Sequence, residues 1–463
     1  MPGLYGILNT GRGALLTQQK AVDITGHNIA NANTPGFSRQ RINLETNEPI
    51  SFKPGQMGTG VRARDIQRIH DRFLGVQINN ENKSLGRWDA QEGALKRVEM
   101  TFDESTGFGL NQTMSEFWNA WQDLVNNPSG QGERVALLAK SERLTENFQK
   151  VNTDLKQIQD DLDDNIKGTV DEINLITNQI ANLNKKISQV EVGGQNANDY
   201  RDKRDLLLDE LSKKIDINTF ENDDGKVTVL VCGGRPLVEN TSAWGLSTET
   251  VSGHENVVWI DGDGNSVDIT GGISGGKLKG WIEARDVVIP DYLNRLDTLA
   301  SEIITQVNTL HQTGFGLDGS TGNAFFTGTS ASDIAVNPAI ITDTNLIAAA
   351  GGAVWAGQIG DNSNAIAIAN LQNELIMNGN TATFDDYFNS LVSDVGSEVQ
   401  TAATNFDHES VMVTHLNNQK ESISGVSLDE EMVNLIKFQH AYDSAAKLIS
   451  TVDELLATVI NMV

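Results

Sequence analysis

Gly271-Gly272-Ile273-Ser274-Gly275-Gly276-Lys277-Leu278 stops one residue short of a phosphate-binding loop. Such a loop cradles phosphates with backbone N–H groups and a lysine, and its closing Ser or Thr hydroxyl holds magnesium. Leu278 stands in that last place, and the runs before it read as an antiparallel hairpin instead of a βαβ unit. Gly314-Phe315-Gly316-Leu317-Asp318-Gly319 matches the dinucleotide fingerprint letter for letter but follows a helical pattern, where that chemistry needs a preceding strand. Asp261-Gly262-Asp263-Gly264-Asn265 has the flavour of a calcium loop, yet Ser266 replaces the turn glycine and Gly272 the bidentate glutamate. A hairpin turn explains those residues without an ion. His408 and His415 fall two turns apart on one helix face, a spacing that suits surface positions better than metal ligands. Cys232 is the only cysteine, which excludes an intrachain disulfide, and its place after Val229-Leu230-Val231 suits a buried small hydrophobe. Nothing gathers a nucleophile, a base and an oxyanion hole. The expectation is a protein that is not an enzyme, without catalytic, cofactor-binding or metal-ligating residues.

Composition narrows the class further. A formal charge of -27 over 463 residues offers nothing to neutralise phosphates, which argues against nucleic acid and against an anionic membrane surface. No stretch approaches the ~20 apolar residues of a membrane-spanning helix. The start of the chain shows no secretory signal, since Leu4 to Leu16 is broken by Gly6, Asn9, Thr10, Gly11 and Gly13.

The elements that must organise such a chain are long helices. Ile166, Ile173, Ile180 and Ile187 recur every seven residues, with Leu162, Thr169, Ile176, Leu183 and Val190 completing an a/d seam between Leu155 and Val190. A second block runs through Ile289, Leu293, Leu296, Ala300, Ile303, Val307 and Leu310, with Pro290 tolerable in its first turn. A third runs through Val392, Val395, Val399, Ala402, Phe406, Val413 and Leu416. Three such helices favour a bundle rod. Between Ile215 and Lys279 the pattern shortens to runs such as Val227-Thr228-Val229-Leu230-Val231 and Val257-Val258-Trp259-Ile260, parted by turn compositions at Asp223-Asp224-Gly225 and Asp261 to Asn265. This reads as a small antiparallel β domain inserted in the rod, with hairpins expected to face outward and to be dispensable. Gly314 to Thr329 and Ala348 to Asn364 read as loops.

The two chain ends are alike in kind. Leu8, Leu15, Val22 and Ile29 form a seven-residue stripe with small residues beside it (Gly11, Ala14, Ala21), and the helix stops at Thr34-Pro35-Gly36. At the other end Ser427-Leu428-Asp429-Glu430 is a capping-box signature. Beyond it, Leu428, Leu435, Tyr442, Ile449, Leu456 and Val463 form one apolar row, and Phe438, Ala445, Val452 and Val459 a second. Such a seam needs a partner along its length, and the helix at the opposite end of the chain is the nearest one. The fold class expected is mainly α: an elongated helical-bundle rod with terminal coiled-coil helices and a small inserted antiparallel β domain.

Asn28-Ile29-Ala30-Asn31-Ala32-Asn33-Thr34-Pro35-Gly36-Phe37 resembles the amino-terminal signature of the flagellar rod, hook and hook-associated axial proteins. Ser424-Gly425-Val426-Ser427-Leu428-Asp429-Glu430-Glu431-Met432-Val433-Asn434-Leu435, with Gln439, Ala441 and Tyr442, is similar to the partner signature at the carboxyl end. The Gly-Val-Ser-Leu-Asp-Glu-Glu form and the stretch Asp199 to Leu211 resemble the members that join hook to filament. Hook and distal-rod members would instead carry mostly β structure between the terminal helices. A non-flagellar coiled-coil surface fibre would share the heptads without the paired end motifs.

The resemblance implies a structural subunit of the bacterial flagellum at the hook–filament junction, polymerising through its terminal helices. Residues 1–75 and 421–463 would form the terminal helical axial-core domain, 76–215 and 280–420 the long-helix bundle rod, and 216–279 the inserted β domain. Implied assembly residues are Leu8, Leu15, Val22, Ile29, Asn31, Thr34, Pro35, Gly36 and Phe37 at the amino end. At the carboxyl end they are Leu428, Leu435, Phe438, Tyr442, Ala445, Ile449, Val452, Leu456 and Val459, which a cytoplasmic flagellar export chaperone would also bind. Implied partners are further copies of the chain, hook protein and hook-associated protein 3, with secretion through the flagellar type III apparatus.

Overall fold

The computed structural model describes residues 4–53, 55–103, 109–222, 224–352 and 360–462. Asp223 in the expected turn and Val463 in the expected seam lie outside the described residues. Leu4–Ala30 (α1) is followed by Gln40–Thr46 (β1), Ile50–Phe52 (β2), Gly55–Met57 (β3) and Val61–Arg68 (β4), with β1 paired antiparallel to β4 and β2 to β3. Then come Arg72–Thr101 (α2), Leu110–Asn126 (α3), Gln131–Glu191 (α4) and Asn198–Lys214 (α5). The insert holds a four-stranded antiparallel sheet of Asn218–Glu221 (β5), Val227–Val231 (β6), Arg235–Glu239 (β7) and Ser242–Ala243 (β8). Beside it lies a three-stranded sheet of Leu246–Val251 (β9), His254–Ile260 (β10) and Ser266–Asp268 (β11).

Gly276–Glu283 (α6) and Ile289–Thr313 (α7) lead to the short pair Phe326–Thr327 (β12) and Ala335–Val336 (β13). Pro338–Thr342 (α8), Ser363–Asn370 (α9) and the single turn Met377–Asn380 (α10) precede the two closing helices, Phe384–Ser424 (α11) and Leu428–Asn461 (α12).

Helix α4 begins 24 residues before the expected heptad block and is 61 residues long, about 90 Å at 1.5 Å per residue. Leu137, Leu144, Phe148 and Val151 carry the apolar spacing upstream, and the seam there includes Ser141, whose Oγ bonds back to Leu137 O at 2.7 Å. One core runs along its first part, where Leu137 to Leu162 pack with α3, α7, α9 and the start of α11. A second runs along its last part, where Ile166, Val170, Ile173 and Ile180 pack against Val229, Leu237 and Val257 of the insert and Leu211 of α5. The insert is therefore not an outward appendage: both sheets lie on α4 and share its core.

Pro290 sits inside a continuous helical path from α6 to α7, because Ala284–Val288 is a π turn. The Ile289 N–H reaches back to Ala284 O, and Pro290 has no N–H to offer the next carbonyl. That carbonyl, Arg285 O, accepts instead from Gln159 Nε2 at 2.8 Å. The Arg285 guanidinium, itself buried, bonds Asp163 Oδ1 and Glu255 O, so the same turn ties rod to insert.

The segments read as loops after α7 close the end of the bundle. Phe325 and Phe326 are buried against Phe117, with Phe325 also packed on Trp121. His311 is fully buried; Ala348 N donates to its Nε2 at 2.9 Å, so its Nδ1 carries the proton and donates to Asn323 O at 2.8 Å.

Candidate assembly site: the paired terminal helices

Helices α1 and α12 pack along each other. Leu8, Leu15, Val22 and Ile29 are half-buried, and the fully buried positions of α1 are instead Gly11, Thr17, Ala21, Thr25 and Asn28. Small side chains define the line of closest approach. A Cβ at Gly11 would lie 3.0 Å from Ile449 Cγ1 and 3.5 Å from Leu448 Cδ2. On α12, Ala445 and Val452 are 7% and 2% exposed, while Leu435, Phe438, Tyr442, Ile449 and Leu456 are half-buried. Leu428 and Val459, at its two ends, are 50% and 51% exposed. Met432, Val433, Ile436 and Leu455 are exposed too, on the side that α1 leaves uncovered, and Ile460 is exposed near the end of the helix. The hairpin covers another side of α1, where Thr17 Oγ1 donates to Val61 O at 3.4 Å.

The turn that leaves α1 is built locally. Asn31 Nδ2 donates to His27 O at 2.9 Å, and Thr34 Oγ1 donates to Asn31 Oδ1 at 3.2 Å. Phe37 N bonds Thr34 O, with Pro35 and then Gly36 (φ +75°) at the centre of the turn, an arrangement that suits these two residues in that order. A Cβ on Gly36 would meet Leu206 Cβ of α5 at 3.4 Å, an ordinary contact, so it is the backbone conformation that calls for glycine. Phe37 lies edge-on to His27, ring centroids 5.4 Å apart.

Beyond that turn lies a polar joint that the sequence reading missed. Asn28 is 1% exposed; its Nδ2 donates to Gln40 O at 2.8 Å and to Glu431 Oε2 at 3.1 Å, and its Oδ1 accepts from Gln40 N at 3.0 Å. Glu431, 2% exposed in a seam position of α12, also accepts from Arg39 Nε at 2.7 Å. Glu430 gives its carboxylate to Arg39 Nη1 at 2.7 Å instead of completing the capping box, of which only the Ser427 half forms. Two chain ends, 403 residues apart, thus meet through one buried carboxylate.

Helix α5 ties this joint to the rod. Asp199, Asp202, Asp205 and Asp209 follow i, i+3, i+6, i+10 spacing and share one face. Gln40 Nε2 bonds Asp199, Ser38 N bonds Asp202, and Arg68 Nη1 reaches Asp202 at 2.7 Å and Asp205 at 2.6 Å. Burial pushes the Asp209 carboxyl up, and Lys420 Nζ at 3.1 Å opposes that. The arginines of the same helix point to the insert side, Arg201 holding Glu191 and Glu221. On α5 the carboxylate spacing was the available signal, and Arg68 gave none until the fold placed it opposite; nothing local pairs Asn28 or Arg39 with Glu431.

The motifs with a chemical flavour are scattered. Asp261 Oδ1 accepts from Asp263 N and Asn265 N in the β10–β11 turn, Gly314 to Gly319 is a loop after α7, and His408 is exposed on α11. Burial pushes the Cys232 thiol up to about 12. Among the described residues no group of three or more His, Cys, Asp or Glu side chains is placed to hold a metal ion.

Comparison with known proteins agrees with this geometry. Residues 95–326 match the model of the flagellar hook-associated protein FlgK helical domain, 8–37 that of the flagella basal body rod protein, and 419–462 that of the flagellar basal body rod FlgEFG protein C-terminal. Flagellar hook-associated protein 1 of Bacillus subtilis is 33% identical over 98% of this chain and 97% of its own length. That of Escherichia coli is 27% identical over 99% and 100% respectively. The solved structure of the flagellar hook junction protein FlgK from Burkholderia pseudomallei shares the fold, with a TM-score of 0.68 at 14% identity over 75% of this chain and all of that one. This chain belongs to the flagellar hook-associated protein 1 family.

Proposed function

We propose that the chain is the structural subunit that joins hook to filament in the bacterial flagellum, polymerising through α1 and α12 and performing no catalysis. The observation that carries this reading is the uncovered apolar side of α12, with Met432, Val433, Ile436 and Leu455, on a helix pair anchored at the start of α12 by Asn28, Arg39 and Glu431. A two-helix layer buries one narrow stripe, and a tube of copies would bury the rest. Hook protein lies below such a ring and hook-associated protein 3 above it. Before assembly a cytoplasmic export chaperone covers residues 428–463, and the chain leaves through the flagellar type III apparatus. No helix among the described residues is long and apolar enough to cross a membrane.

The test is a flagellated strain deprived of this protein and resupplied with it. Without it cells should carry bare hooks and release flagellin into the medium; with it filaments should attach. Filaments attached equally well in both strains would refute the reading.

A further inference from the structure

Helices α2 and α11 pack along each other and link the terminal pair to the rod. Their contact has a core at each end. Near the chain ends Leu74 and Ile78 meet Leu416, and toward the bundle Ala94, Leu95 and Val98 share the rod core with Val395, Val399 and Ala402. Between these cores the buried row of α2 is Asn82, Gly86 and Ala90, while no residue of α11 from 403 to 412 is fully buried. That row serves other helices. Asn82 Nδ2 donates to Asp209 O of α5 at 3.2 Å, Gly86 lies against the Lys213 carbonyl of α5, and Ala90 faces Gly280 of α6.

In this thin stretch two carboxyl groups face each other. The Glu409 side chain of α11 is 17% exposed, and no donor among the described residues reaches its buried Oε2. Within hydrogen-bonding distance of this carboxyl stands Glu81, half-buried on α2. The other charges nearby do not relieve the pair. His408, largely exposed, comes only to 4.0 Å from Glu409 Oε1. Lys96 of α2 is paired with Glu92, with exposed Asp407 in its field, and Lys420, further along α11, holds Asp209 of α5. Burial, then Glu81, holds the Glu409 carboxyl above the usual carboxylate range.

We propose that Glu81 and Glu409 form an acid-closed latch between α2 and α11: one shared proton joins the two carboxyls, and its release to solvent sets two like charges against each other where the helices have least apolar contact. Two carboxylates that share a site cannot both ionise freely, so one proton stays to a higher pH, and the titration belongs to the pair. The folded chain therefore binds this proton more tightly than the unfolded chain, whose glutamates titrate at about 4.3. The stability that the latch contributes is present in acid and is lost as pH rises through the raised value. The link between the terminal helices and the rod is thus tighter in acid than at neutral pH.

The experiment compares the full chain with Glu409→Gln, Glu81→Gln and the double variant, by amide exchange at 403–415 and by melting temperature between pH 7.5 and pH 4.5. Comparing chains at one pH cancels the titration of the groups they share. At pH 7.5 Glu409→Gln, whose amide can donate to Glu81 as the protonated acid would, should protect 403–415 about tenfold better than the wild type and melt higher. That difference should close by pH 4.5. Glu81→Gln should behave alike, and the double variant should gain little beyond either. A difference that stays constant across this range would overturn the proposal, because it would report packing alone. So would a wild type better protected than Glu409→Gln at pH 7.5, or single substitutions whose gains simply add.

Discussion

Gly11 faces Ile449 so closely that an added Cβ would lie 3.0 Å from the isoleucine Cγ1. The two terminal helices meet at this point through the absence of a side chain on one of them. Gly11→Val should therefore separate the pair and abolish filament attachment, and Ile449→Ala should restore part of it by removing the atom in the way. A double variant as defective as Gly11→Val alone would show that the helices do not need this contact.

Ile449→Asp should act from the other side. Ile449 is half-buried, so its lost burial costs about 1–2 kcal/mol, and the carboxylate adds a desolvation penalty. The rod cores lie elsewhere, so thermal unfolding of the purified variant should stay near wild type while cells leak flagellin. Lys447→Asp, exposed on the same helix, is the control and should be mild. Equal severity of the two would assign the effect to charge instead of packing.

The Asn28–Glu431–Arg39 joint predicts a contrast between neighbours. Glu431→Gln keeps the shape but strips a buried partner from Arg39, and should cost about 2–3 kcal/mol. Glu430→Gln, whose side chain is 62% exposed, should cost under about 1 kcal/mol. Amide exchange should show the difference at residues 28–40 and in the first turns of α12. Similar exchange in both variants would mean that the joint does not hold the chain ends together.

Replacing 218–274 with a short linker should destabilise the rod, contrary to what the sequence suggests for an outward insert. Ile166, Val170, Ile173 and Ile180 would lose their cover, and each bared side chain costs about 1.5–3 kcal/mol. The melting temperature should fall and apolar dye binding should rise. A deletion variant that melts like the full chain would return the insert to the status of an appendage.

What the sequence made legible follows from periodicity. Ile166, Ile173, Ile180 and Ile187 repeat strongly enough to announce α4, and Thr34-Pro35-Gly36 announces the turn that ends α1. The β1–β4 hairpin was less visible, because Ile42 and Leu44 are its main apolar alternation on the first strand and a bulge beside Leu44 interrupts the ladder. Within the candidate site the apolar rows of α12 could be read directly. The contact line of α1 was legible in part: Gly11 and Ala21 stand out as small residues beside the stripe, but Thr17, Thr25 and Asn28 do not, and hydrophobic spacing favours Leu8, Leu15 and Val22. The polar joint depends on pairs 134 to 403 residues apart, such as Arg68 with Asp202 and Asn28 with Glu431, which no local pattern can assign.

His311 gives the protein an acid-sensitive point far from the terminal helices. Burial is the first cause that lowers its pKa, to about 4, against about 6.5 in an unfolded chain. The unfolded state therefore takes up a proton between those values while the native state does not, so stability falls as pH drops from 6.5 toward 4 and is complete above 6.5. The difference amounts to about 3 kcal/mol. Protonated Nε2 could no longer accept from Ala348 N, so the loop against α7 should loosen with the same midpoint. Urea midpoints measured at pH 7.5, 5.5 and 4.5 should drop more steeply for the wild type than for His311→Gln, because the carboxylates that titrate in that range are common to both. Parallel slopes would mean that His311 protonates freely in the folded protein and that its burial carries no acid penalty.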